Sequence, residues 1–154
     1  RPTSGLFLLW WRMIMGLDMF AFATKTVKPN PDDEHSIITG FEREDGEYEY
    51  FDDEQPEEIY YWRKFNALHG WMENLYKSRG GIESFNCVKI QLFTDDLKAL
   101  KKSCENKSLV PVNGFFFGSQ EPVDEDDYTN VLEFIAVAEE HIHDGFVVYY
   151  DSWW

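Results

Sequence analysis

Apolar and polar positions alternate over 15–27, with Leu17, Met19, Ala21 and Ala23 on one side and Asp18, Phe20, Phe22 and Thr24 on the other. A period of two predicts a strand with two partly covered faces. Two prolines among short polar residues make 28–34 a loop. The stretch 36–41 fits a short strand. Over 47–51, Glu47 and Glu49 alternate with Tyr48 and Tyr50, which predicts an edge strand with its charged side in water. From Gln55 the period changes. Ile59, Trp62, Phe65, Asn66, His69, Met72 and Tyr76 recur at spacings of three and four, which predicts a helix over 55–76. Pro56 suits a first helical position, Glu57 and Glu58 suit the positive end of the helix dipole, and Gly80 and Gly81 suit its close.

Beyond the glycines, 87–92 alternates again and predicts a strand. Thr94 is the expected cap of a second helix to about Asn106, with Leu97, Leu100, Lys101 and Cys104 sharing a side. Residues 109–112 read as extended, and 114–118 as a glycine-bounded aromatic turn. A third helix is predicted over 124–141, with acids at its start and an apolar stripe of Tyr128, Leu132, Ile135 and Ile142. A last strand follows at 146–150. Strands at both ends with helices between predict an α+β fold. It is a single domain over 15–154, a largely antiparallel sheet of about four to five strands with about three helices on one face, and its first and last strands are plausible neighbours. Residues 1–14, with an apolar run broken by Arg12, read as a leader or extension outside that fold, too short to span a membrane.

Composition changes this picture in one respect. The chain carries 29 acids against 14 bases, a net charge of −15, while aromatics make up 18%. So many large apolar rings argue for a folded core and against disorder. The charge repels phosphate backbones, which argues against direct nucleic-acid binding and against docking on an anionic membrane, and favours a protein with a basic surface. Ten acids and one base fall within 42–58. Glu42, Glu44, Asp45, Glu47, Glu49, Asp52, Asp53 and Glu54 form the candidate acidic interaction surface. Two cysteines, Cys87 and Cys104, make no disulfide framework and are expected as free buried thiols in a reducing cytoplasm.

Little in the sequence points to catalysis. The run 114–118 lacks the lysine and hydroxyl of a phosphate-binding loop. Four histidines and two cysteines show no zinc spacing, so neither metal nor cofactor is expected. Cys87 or Cys104 could meet His69, but inert thiols are the commoner case. The acids at 124–127 read first as dipole partners of their helix. The candidate pocket is Trp62, Asn66 and His69 on one helical face, bordered by Arg63. Polar groups among large rings are costly to bury unless satisfied, so they line a pocket or bond within the core. The chain thus reads as a binding protein more than an enzyme, with a small enzyme or ligand-binding protein as the alternative.

Four stretches resemble a family of small phage and prophage proteins: Met15-Gly-Leu-Asp-Met-Phe20, Tyr61-Trp-Arg-Lys-Phe-Asn-Ala-Leu-His-Gly-Trp71, Gly114-Phe-Phe-Phe-Gly-Ser119 and Tyr149-Tyr-Asp-Ser-Trp-Trp154. Their order matches over nearly all of 15–154. The acidic 42–58 block and a longer 120–123 segment depart from the pattern. The resemblance implies a phage accessory protein in the host cytoplasm and carries no established activity. The label of phosphoglycerate kinase sometimes attached to such proteins carries no weight, because no nucleotide motif is present. Combined with the charge, the resemblance implies an anti-defence role, inhibiting a host nucleic-acid-binding complex.

Overall fold

The computed structural model describes residues 16–25, 27–28, 50–51, 56–111 and 122–154. Within them the chain folds as one α+β domain. Strand β1 (Asp18–Thr24) is followed by the short β2 (Val27–Lys28) and β3 (Tyr50–Phe51), then β4 (Glu57–Arg63), helix α1 (Asn66–Ser78), β5 (Ile90–Leu92), α2 (Thr94–Glu105), α3 (Glu125–His143) and β6 (Val147–Trp153). The main sheet runs in the order β4-β1-β6-β5, and β2 pairs with β3 separately. Every pairing is antiparallel. The first and last strands are neighbours, as their patterns suggest.

The expected helix over 55–76 is half wrong. Its first part is the edge strand β4, which pairs with β1 from Asp18 opposite Arg63 to Ala23 opposite Glu57. The sequence Ile59-Tyr-Tyr-Trp62 is rich in the aromatic and β-branched residues that fit a pleated surface. Its side chains alternate, with Tyr61 and Arg63 exposed and Trp62 buried. Ile59, Trp62 and Phe65 also recur every third residue, so the helical period is a coincidence that strand pairing overrides. A β-bulge leaves Ile59 between Tyr60, opposite Ala21, and Glu58, opposite Phe22. Lys64, at a φ of 55°, turns the chain from strand to helix, and its N–H donates to Leu17 O at 2.7 Å.

The inner face of the sheet carries Met19, Ala21 and Ala23 of β1, Val148, Tyr150 and Ser152 of β6, and Ile90 and Leu92 of β5, all buried. Helix α1 covers it with Leu68, His69, Met72 and Tyr76. Helix α3 buries Tyr128, Val131, Phe134, Ile135 and Ala138. Leu132, expected on that stripe, is 36% exposed, because the true stripe runs one residue earlier through Val131. Helix α2 adds Leu97, Leu100 and Cys104, while Lys101 points to solvent. On the outer face Tyr61, Phe20, Phe22 and Tyr149 form a ladder of rings with centroids 5.2 to 5.8 Å apart.

Helix ends follow local chemistry. Asp124 and Asp127 cap α3 reciprocally: Asp127 N–H donates to Asp124 Oδ1 at 2.8 Å, and Asp124 N–H to Asp127 Oδ2 at 3.1 Å. The N-cap of α2 is Phe93, one residue before the expected Thr94, and the Asp96 carboxylate accepts the Phe93 N–H at 2.8 Å. The same carboxylate pairs with Arg79, whose guanidinium also donates to Gln91 O at 2.6 Å. One ion pair thus ties the end of α1 to β5 and to the start of α2. Helix α1 closes in a Schellman motif, with Gly80 at a φ of 90°, Gly80 N–H to Lys77 O and Gly81 N–H to Tyr76 O, both at 3.0 Å.

Gly81 is fixed by packing. A Cβ there would sit 2.4 Å from the Tyr76 ring. That ring is 1% exposed and stacks on Phe85 at 5.2 Å, so it has nowhere to go. Gly81→Ala should therefore destabilise the fold by about 1–3 kcal/mol, the usual cost of overpacking. Urea titration of the variant beside Gly80→Ala, which has open space but a left-handed φ, would separate packing from conformational strain. An unchanged midpoint for Gly81→Ala would contradict this packing.

Candidate functional site

The sharp turn at Lys64 and Phe65 takes the chain from β4 directly into α1. Trp62, on the strand, and Asn66 and His69, on the helix, are all buried. Trp62 is 6% exposed, Asn66 5% and His69 0%. Arg63 does not join them. Strand alternation puts it on the opposite face, with its Nε 3.9 Å from Asp18 Oδ1.

His69 faces Tyr150 from β6, with Nδ1 2.6 Å from the phenolic oxygen. Burial drives both groups toward their neutral forms. It lowers the His69 pKa from 6.5 to about 4, against a small opposing pull from Glu73. It raises Tyr150 well above its usual value, an effect the Ser152 hydroxyl eases and the Asp151 charge reinforces. At neutral pH this is an uncharged imidazole–phenol pair joined by one short hydrogen bond. Phe85 stacks on His69 at 5.0 Å, on Tyr76 at 5.2 Å and on Tyr150 at 5.9 Å. The loop carrying Phe85 is pinned to the last residue. Asn86 Nδ2 donates to Trp154 O at 2.9 Å, Trp154 N–H to Asn86 Oδ1 at 3.0 Å, and Trp154 Nε1 to Phe85 O at 3.0 Å.

The strand register adds a further row. Trp62 and Ser152 both lie opposite Met19, one on each side. Trp62 packs edge-on against Phe134, with centroids 4.8 Å apart. Its Nε1 finds no hydrogen-bond partner, and neither do Nδ2 and Oδ1 of Asn66. Buried polar atoms are nearly always paired, and leaving one unpaired costs roughly 1–3 kcal/mol. The region is therefore closed without being satisfied.

Other candidates serve structure. Cys104 is buried, and burial pushes its thiol up to about 11, so it is protonated at neutral pH. Cys87, expected to be buried at the start of a strand, is exposed in a left-handed turn at a φ of 57° before β5. Asp124 and Asp127 are engaged as caps. Among the described residues no group of three or more His, Cys, Asp or Glu could hold a metal. No helix there is long and apolar enough to cross a membrane.

The candidate acidic surface Glu42, Glu44, Asp45, Glu47, Glu49, Asp52, Asp53 and Glu54, like the aromatic turn 114–118, lies outside the described residues. Other acids line the edge of the sheet. Glu57 and Glu58 of β4 are exposed, and α3 runs alongside with Glu133 and Glu140 exposed. Tyr60 OH donates to Glu133 Oε2 at 3.3 Å, and His141 Nε2 lies 3.6 Å from Glu57. From Ser108 to Trp154 the chain holds ten acids and neither lysine nor arginine.

Comparison with family models, curated proteins and solved structures finds no match. The functional reading therefore stands on geometry and charge. Sequence reasoning missed Tyr150, Ser152 and Phe85. The first two were within reach, since Val148, Tyr150 and Ser152 continue the strand alternation. Phe85 sits in a loop whose sequence carries no periodic signal.

Proposed function

We propose that the chain is a non-enzymatic protein-binding module that presents an acidic face to a basic partner. The observation that carries this reading is the charge segregation along β4 and α3. Glu57, Glu58, Glu133 and Glu140 are exposed on adjacent elements, and the last two belong to a stretch, 108–154, with no lysine or arginine to balance them. Such a face steers a basic surface into contact and rejects nucleic acid. The charge also keeps β4, an edge strand, from pairing with other sheets. The partner class that fits best is a nucleic-acid-binding protein whose basic groove an acidic surface can occupy. With the phage-family resemblance, this reads as inhibition of a host defence complex in the host cytoplasm.

The test is retention of host-lysate proteins on the immobilised chain at low and high salt, repeated with Glu57, Glu58, Glu133 and Glu140 changed to Gln. The expected outcome is a basic protein held at low salt, released at high salt and lost by the variant, because exposed charges are screened. Equal retention by the variant would remove the acidic face from the account.

A second reading, a ligand-binding protein, is favoured by one observation: the buried amide of Asn66 has no partner. A site that is closed but unsatisfied is what a small bound molecule would complete.

A further inference from the structure

We propose that the outer face of the sheet is a docking surface for the basic partner, with arginine side chains of that partner seated against Tyr61 and Trp153 and paired with the carboxylates beside them. The proposal rests on the reading of the chain as an acidic binding module and names the side chain it recognises.

Strand register lays out this face. Side chains two apart share one side of a strand, so Asp18, Phe20 and Phe22 of β1 point outward while Met19, Ala21 and Ala23 line the core. Phe20 lies between Tyr61 of β4 and Asp151 of β6, and Asp18 lies between Arg63 and Trp153. Phe22 lies between Glu58 and Tyr149. Among the described residues the aromatic side chains that stand exposed are Tyr61, at 46%, and Trp153, at 58%. Both belong to this face, at the same end of it, one from each strand that pairs with β1. Large rings left open on one surface mark a contact site more than a random exposure does.

Chemistry selects the occupant. Ring faces attract cations, and the sheet already uses this attraction within itself: Lys89 Nζ lies 5.8 Å from the centroid of Tyr149, the ring at the far end of the ladder. Carboxylates surround the rings, with Asp18, Glu58 and Asp151 at outward positions of β1, β4 and β6. The one base at an outward position of these three strands is Arg63, held 3.9 Å from Asp18. The face is therefore aromatic and net negative. A guanidinium suits it better than an ammonium, because it is planar, weakly hydrated and stacks on a ring while its N–H edge pairs with a carboxylate. Single-stranded nucleic acid also stacks on ring platforms, but these carry bases along the backbone path, where this face carries acids. A second copy of the chain would bring the same carboxylates and a net charge of −15.

The experiment titrates oligo-arginine and oligo-lysine peptides of equal length into the full chain across a range of salt, and follows heat of binding and the Trp153 indole resonance. Trp153→Leu and Tyr61→Leu keep apolar surface and remove the ring. Both positions are exposed, so Tm should hardly move. Oligo-arginine should bind more tightly than oligo-lysine and shift the Trp153 resonance. Each ring substitution should weaken oligo-arginine binding about two- to fivefold, the exposed-site value of a cation on a ring, and bring the two peptides together while the salt dependence persists. The variant with Gln at 57, 58, 133 and 140 should do the opposite, flattening the salt dependence and leaving the preference for arginine. Equal affinity for the two peptides, a preference that survives both ring substitutions, or an unmoved Trp153 resonance overturns the proposal while leaving the acidic-module reading standing. Binding of oligothymidylate in place of oligo-arginine, or a dimer that Trp153→Leu dissociates without any peptide binding, assigns the face to another occupant and also overturns it. Salt-independent binding of both peptides, unchanged in the Gln variant, removes the acidic module itself.

Discussion

Replacing Phe85 by alanine should cost about 3–5 kcal/mol, the range for truncating a fully packed phenylalanine. The chain has on the order of 5–15 kcal/mol to lose, so the variant should be close to unfolding at physiological temperature. The effect is large because one ring serves three others. Phe85 stacks on Tyr76 of α1, on His69 of α1 and on Tyr150 of β6, and each such contact adds roughly 0.5–1.5 kcal/mol beyond burial. Phe85→Leu should recover part of the loss through volume alone. Urea denaturation of both variants checks the order. If alanine and leucine cost the same, or if alanine costs less than about 1 kcal/mol, the stack does not hold α1 to the sheet. The cavity left by alanine should also admit water beside His69 and raise its pKa toward the ordinary value, which NMR titration would read.

The second large effect concerns acid. His69 has a folded pKa of about 4 against 6.5 for an ordinary histidine. Above about pH 6.5 neither state binds the proton, and the buried imidazole carries no penalty. Between there and about pH 4 the unfolded chain takes up a proton that the folded chain refuses, so stability falls with pH. The full loss is about 3 kcal/mol. Relief of repulsion among the many carboxylates acts in the opposite sense over the same range. The informative quantity is therefore the difference between the parent chain and His69→Gln, a variant that can still bond Tyr150. That difference should shrink steadily as the pH drops from about 7 to about 4.5, by roughly 2 kcal/mol or more. Parallel stability curves would mean that His69 reaches solvent and is protonated in place.

The sheet was largely legible because its strands alternate. Met19, Ala21 and Ala23 announce an inner face, and so do Val148 and Tyr150 in the closing strand. Helices α2 and α3 were legible from their caps and stripes. Their ends were less so: Phe93 takes a cap position that its side chain does nothing to mark, because the acceptor comes from Asp96 three residues on. The segment Glu57–Arg63 was misread because two periods fit it at once, and pairing with β1, a contact distant in sequence, decided between them. The candidate site shows the same division. Trp62, Asn66 and His69 could be picked as large or polar groups sharing a face; all three are buried, the first on a strand and the other two on a helix. Tyr150, from a strand 81 residues beyond His69, could not be assigned to it without the register. Arg63 was misplaced for the same reason as the helix, since on a strand it must face away from Trp62.

The central claim is that an acidic face on β4 and α3 recruits a basic protein. It is tested most directly by titrating the retained partner with the parent chain and with the variant carrying Gln at positions 57, 58, 133 and 140, across a range of salt. The account predicts affinity that falls steeply with salt for the parent chain, and a weaker affinity with a flatter dependence for the variant. Affinity that is independent of salt, or identical for the two chains, would contradict it.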